Sequence, residues 1–163
     1  MVCLPIQLLT QSEFAPFGRV VEVAGAQPLP INQGFATRFN ELAEIDVSAG
    51  GGHTQICLFT AEPRPEPIAV RLMERHPLGS QLFYPLADRP WLVVVCSDPG
   101  DPSSFTAFRA SGRQGVNYAR NVWHHPLIVL DALSRFIVVD RAGPGNNLEE
   151  HWLDDERCLH IVV

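Results

Sequence analysis

Two short polar segments hold the residue types that do acid–base or ligand chemistry. The first is Met73-Glu-Arg-His-Pro-Leu-Gly-Ser-Gln-Leu-Phe-Tyr84. If residues 70–76 form a strand, Glu74 and His76 point to one face and Arg75 to the other. After the Pro77-Leu78-Gly79 turn, Gln81 and Phe83 share a face on the returning strand. The second segment, Gly112 to Pro126, offers Asn117, Tyr118, Arg120, Asn121, His124 and His125. An imidazole titrates near working pH and suits proton transfer. A carboxylate beside it adds a base or a metal ligand, the amides both donate and accept, and a guanidinium holds an anion. Taken singly, each has a plain structural use: a lone histidine near a strand end is a satisfied polar group, and Tyr118 and Trp123 are core aromatics. Their concentration in two segments that a β-rich fold can bring together argues for chemistry. His53, His151 and His160 fall in loops or the tail, and Arg71, Arg109 and Arg135 decorate solvated faces.

The elements that must position these residues read as short strands divided by Pro, Gly and Asp. Ile6–Leu9 is a strand candidate, and Thr10-Gln-Ser-Glu13 is a capping box that opens one short helix through Phe14. Val20–Val23 resumes β character, the stretch 25–30 is a loop, and 38–46 fits helix or strand equally. A glycine-rich turn at 46–52 leads into Thr54–Thr60, which reads as a buried strand. Glu62-Pro-Arg-Pro-Glu-Pro67 must be an extended surface loop. Further strands are expected at 69–75, 80–84, 91–97, 105–109, 116–118, 127–130 and 135–140, separated by turn signals. Strand-turn-strand spacing without long helices predicts an all-β barrel or sandwich.

Composition narrows the chemistry. A chain of 163 residues with 46% hydrophobic content fits one domain, 1–163, with its own core. The net charge of −6 comes without any basic stripe, which argues against a nucleic-acid partner. No apolar run is long enough for a membrane span and the start lacks a signal-peptide pattern, so the expected location is cytoplasmic. The four cysteines are widely spaced and read as free thiols in a reducing compartment. All 12 basic residues are arginine, so Schiff-base and pyridoxal chemistry through a lysine is excluded. There is no GxGxxG after a strand and no P-loop.

The spacing resembles the cupin barrel, a double-stranded β-helix whose first motif runs H-x-H-x(3,4)-E-x(6)-G. Glu74 and His76 take the two histidine positions, Gln81 the glutamate position, and Asp88 replaces the glycine. In the second motif, P-x-G-x-x-H, Gly115 fits the glycine and Tyr118 takes the histidine position. An amide and a phenol are poor transition-metal ligands. Glu74 and His76 alone therefore predict at most a weakly bound divalent ion. The runs Glu74-Arg-His-Pro-Leu-Gly-Ser-Gln81, Gln114-Gly-Val-Asn-Tyr-Ala-Arg-Asn-Val-Trp-His-His-Pro-Leu127 and Val139-Asp-Arg141 closely resemble ureidoglycolate lyases of allantoin degradation. So does Ile31-Asn-Gln-Gly with Arg38 downstream. The resemblance covers nearly the whole chain. It implies a mainly β, cupin-like barrel with a short N-terminal helix, a homodimer, and release of urea and glyoxylate from ureidoglycolate. It also implies a divalent metal, nickel in particular.

For that reaction a site needs a carboxylate clamp, a base and an acid. His76 is the expected base, Tyr118 the acid or hydroxyl orienter, and His124 a second candidate for either role. Arg75 or Arg120 would hold the carboxylate, Asn117 and Gln81 would take the urea amide, and Glu74 would line the same pocket. A noncatalytic small-carboxylate sensor and an ammonia-releasing hydrolase are the competing readings. A metal-dependent dioxygenase or isomerase would need more ligands in motif spacing. His76→Ala should lower turnover by about two orders of magnitude or more, while His160→Ala changes little; steady-state rates on the two variants check this, and equal effects would show the site to be misplaced.

Overall fold

The computed structural model describes residues 2–163, and strands dominate it. In chain order they are β1 (Val2–Cys3), β2 (Ile6–Leu8), β3 (Gly18–Val21), β4 (Pro28–Ile31), β5 (Ala36–Phe39), β6 (His53–Ala61), β7 (Ile68–Val70), β8 (Leu72–Arg75) and β9 (Gln81–Pro85). There follow β10 (Trp91–Cys96), β11 (Phe105–Ala110), β12 (Gly115–Tyr118), β13 (Trp123–His124), β14 (Ile128–Val129), β15 (Ser134–Ala142), β16 (Glu149–Trp152) and β17 (Leu159–Ile161). One α-helix, α1 (Gln11–Phe14), lies between β2 and β3, and the Thr10 hydroxyl caps it by accepting from the Glu13 amide at 3.3 Å. The capping box therefore does what its sequence predicts. No helix among the described residues is long and apolar enough to cross a membrane.

The strands form a five-stranded antiparallel sheet, β3-β12-β9-β15-β6, and a seven-stranded sheet, β16-β8-β13-β10-β11-β2 with β14 also on β10. A small sheet, β1-β17-β7, backs the second of these, and β4 and β5 pair only with each other. From β8 to β16 the chain keeps switching between the two large sheets. This alternation is the winding of a double-stranded β-helix, and the mainly β, cupin-like expectation holds.

The core explains why β10 reads as an unbroken apolar run. Trp91, Val93 and Val95 on one face pack with Phe83, Val116, Tyr118, Phe136 and Val138 of the five-stranded sheet. Leu92, Val94 and Cys96 on the other face pack with Ile68, Val70, Leu159 and Ile161 of the small sheet. Both faces being covered, neither requires polar residues. Strand β10 is thus the middle layer of three, and it fixes the register of β13 through the Val95–His124 and Cys96–Trp123 pairs.

Several expectations change. The stretch 25–30, read as a loop, is strand from Pro28 onward, where β4 pairs with β5. His53, His151 and His160 lie in β6, β16 and β17 rather than in loops or the tail. Thr54–Thr60 is a strand but not a buried one: β6 is an edge strand, and Ile56 and Leu58 are 73% and 66% exposed. The predicted strand 69–75 breaks at Arg71 into β7 and β8, which belong to different sheets. The ambiguous stretch 38–46 is β strand only to Phe39, after which it straps across the five-stranded sheet. Ser80 ties the strap down, accepting from the Asp46 amide at 2.9 Å and donating its own amide to the Asp46 carbonyl. The very short strands β1, β13, β16 and β17 lack any periodicity long enough to read. Replacing Phe108, fully buried against Phe14, with Ala should cost about 3–5 kcal/mol of stability in urea unfolding. Leu133→Ala, at a half-exposed site, should cost far less.

Candidate active site

Strand β8 delivers Glu74 to the space between the large sheets because its neighbour Met73 is committed to the opposite core. Glu74 sits directly across from His124 of β13, and His124 across from Val95. From the facing sheet, Gln81 of β9 and Tyr118 of β12 are paired across the ladder. The Tyr118 ring stacks on the His124 imidazole at 4.1 Å and 13°. His76, two residues beyond Glu74, brings its ring centroid to 5.3 Å from that of His124.

Hydrogen bonds fix which nitrogen of each histidine faces the site. His76 Nδ1 donates to the Asn147 carbonyl at 2.7 Å, and its Nε2 is buried without a partner. His124 Nδ1 donates to the Val122 carbonyl at 2.9 Å. Its Nε2 faces two oxygens, Gln81 Oε1 at 3.2 Å and Glu74 Oε1 at 3.5 Å. Gln81 cannot turn its amide over without loss, because its Nε2 donates to Asp140 Oδ2 at 3.4 Å. Asp140 Oδ1 is also buried and unpartnered. Acceptors thus outnumber donors here, and the space between His124 Nε2 and the two oxygens calls for positive charge, a ring proton or a metal ion. Glu74, His76 and His124 each offer one ligand atom, all within 4.8 Å of one another.

Electrostatics agree with this arrangement. Burial, with His124 second, pushes the His76 pKa down, so its Nε2 lone pair is available near neutral pH. Burial opposes ionisation of Glu74, but the His124 contact and the nearby imidazoles outweigh it and leave its pKa below the ordinary value. Burial, with the Glu74 charge second, pushes the Tyr118 phenol far up, so it holds its proton tightly. Beside this cluster a cavity of about 490 Å³ opens onto Glu74, walled by Phe59, Ala61, Phe83 and Leu127.

The ureidoglycolate lyase family matches residues 1–160. The chain belongs to the ureidoglycolate lyase family. A ureidoglycolate lyase of Burkholderia mallei is 51% identical over 99% of both chains. Another, ureidoglycolate lyase 1 of Rhizobium meliloti, is 56% identical over 93% of this chain and 90% of its own. Among solved structures, a dTDP sugar isomerase from Desulfovibrio desulfuricans overlaps 86% of this chain and 87% of its own, with 16% identity and a TM-score of 0.46.

Of the residues read from the sequence of this family member, Glu74, His76, Gln81, Tyr118 and His124 converge. Asn117, Arg75 and Arg120 do not join them. Arg75 is on the far face of β8, bonded to Glu149 at 2.6 Å and lying 4.5 Å over the Trp123 ring. Asn117 alternates with Tyr118 and faces the strap, donating to the Glu44 carbonyl at 2.8 Å. Arg120 grips the Asp46 carboxylate at 2.7 Å. A second cavity, about 720 Å³, lies there, and its polar residues are largely spent on fastening the strap. The cupin alignment put Tyr118 in the histidine position of the second motif; the structure sets His124 beside Glu74 and His76 instead, with Tyr118 as its stacking wall. Asp140 was missed, although the alternation Phe136, Val138, Asp140 along one strand face was the available signal. Gln81→Leu should lower activity tenfold to about a hundredfold by releasing the groups around His124. Arg75→Met should leave kcat/KM within about threefold, as steady-state kinetics will show.

Proposed function

We propose that this chain is a ureidoglycolate lyase of purine catabolism, releasing urea and glyoxylate in the cytoplasm as a homodimer of one-domain subunits. The observation that carries the reading is the convergence of Glu74, His76 and His124 beside Gln81 and Asp140, in a chain whose family is established over its length. The competing sensor reading gives no use to the two buried, unpartnered acceptors at the site, His76 Nε2 and Asp140 Oδ1.

The substrate carbon carries a hydroxyl, a carboxylate and a ureido nitrogen. Breaking its C–N bond converts the hydroxyl to a carbonyl and moves one proton from that oxygen to the departing nitrogen. The reaction is redox-neutral and the proton count closes, so a single group can accept the proton and return it. Asp140 supports that role: its Oδ1 is a buried acceptor without a partner, beside the amide that faces His124. His76, His124 and Glu74 fit a divalent cation, nickel by family expectation, because the His76 Nε2 is orphaned and both imidazoles are locked with Nε2 facing inward. Such an ion would supply Lewis-acid polarisation of the substrate oxygens. Gln81 holds its carbonyl oxygen toward His124, and the Tyr118 ring prevents the imidazole from rotating. Phe59, Phe83 and Leu127 give one side of the cavity an apolar wall.

Product analysis tests the reading. Purified protein should yield urea and glyoxylate in equal amounts without ammonia; stoichiometric ammonia would assign the hydrolase instead. Dialysis against a chelator should lower turnover without unfolding the chain, and a divalent ion should restore it. Unchanged turnover with no metal present would remove the ion from the account.

A further inference from the structure

The β4–β5 hairpin is a two-stranded arm that pairs with no other strand. Such a ribbon is marginal alone in water, yet this one exposes Leu29 at 47% and Phe35, near its tip, at 91%. Its tip holds Asn32 and Gln33 at φ of 52° and 61°, a left-handed turn made without glycine at either position. Pairing of Leu29 with Arg38 and of Ile31 with Ala36 gives one apolar face bearing a single guanidinium.

A receiving surface lies on the same molecule. Strand β6 leaves one edge unpaired, and its outer face continues across the sheet in two apolar rows, Ile56-Val139-Leu82 and Leu58-Ile137-Tyr84. A long apolar edge of this kind needs cover. The inward residues of β6, Phe59 and Ala61, wall the cavity that opens onto Glu74. Among the described residues, no arginine lines that cavity. Arg75 is held by Glu149, Arg120 by Asp46, and Arg141 by the carbonyls of Ala49, Gly50 and Pro144. Arg64 opens onto a different cavity, with His125 and Trp152.

We propose that two copies of this chain exchange the β4–β5 arm, each pairing it edge-on with β6 of the other, its Leu29, Ile31 and Arg38 face continuing the inward row of Phe59 and Ala61, so that Arg38 binds the substrate carboxylate at the partner's cavity. The clamp role rests on the lyase reading above. A stable specific pair buries on the order of 1,600 Å², and the two reciprocal arms with the apolar sheet face are the exposed apolar surface available to it. The exchange is isologous, so every site is completed and none is left open.

Mixing inactive variants tests it. Arg38→Ala should raise KM far more than it lowers kcat, and Glu74→Gln should abolish turnover. Co-refolded in equal amounts and assayed at subsaturating substrate, the two should recover about a quarter of wild-type activity, since half the pairs are mixed and each mixed pair holds one intact site. No recovery beyond the separate chains, or an Arg38→Ala chain as active as wild type, overturns the assignment. A wild-type chain inert toward ureidoglycolate would end the lyase reading and the clamp with it. The exchange is then judged by sedimentation alone. Wild type should run as a pair of about 36 kDa, twice the 18.0 kDa chain, and the Leu29→Asp/Phe35→Asp double variant as a monomer. A paired double variant or a monomeric wild type would overturn the exchange.

Discussion

The surplus of oxygen acceptors around His124 Nε2 is the constraint on which the site depends. The Val122 carbonyl accepts from Nδ1–H, Tyr118 covers the ring, and Glu74 and Gln81 present oxygens to the remaining nitrogen. Buried acceptors without donors are costly. They persist where a cation or substrate completes them, as expected of a catalytic centre. The neighbouring groups follow from this: Asp140 orients Gln81, and Asn147 orients His76 so that its free nitrogen points the same way.

The scaffold makes that crowding possible by holding His124 from behind. Because β10 is buried on both faces, its register cannot slip by one residue without driving a whole apolar set to the wrong side. Strand β13, only two residues long, inherits its position from this central strand and from Glu74 opposite. Arg141, buried at the end of β15, performs the corresponding task on the other sheet. Its guanidinium gathers three loop carbonyls, and a side chain at Gly52 or Gly79 would collide with it.

Much of this was legible in the residues. The alternation of Glu74, Arg75 and His76 correctly separated Arg75 from the other two, and the capping box located α1. The cupin spacing pointed to Gln81 and to the end of β12. That His124, rather than Tyr118, offers a nitrogen beside Glu74 and His76 was not legible, because it depends on how β13 crosses β10, and two residues carry no period. Nor was the separation of Asn117 and Arg120 from the site, since the strap that engages them lies more than seventy residues earlier. Strand β6 misled for a physical reason: Ile56, Cys57, Leu58 and Phe59 are apolar on both faces, which reads as burial in an isolated chain.

Both imidazoles are held with a proton on Nδ1 and with Nε2 turned toward one shared space beside Glu74. Long-range ¹⁵N–¹H correlation spectra of histidine-labelled protein, recorded while zinc is added as a diamagnetic probe, test this most directly. The Nε2 resonances of His76 and His124 should shift together and saturate at one ion per chain, with Nδ1 protonated in both throughout. Ligation through Nδ1, or zinc binding that leaves either Nε2 unmoved, would contradict that arrangement.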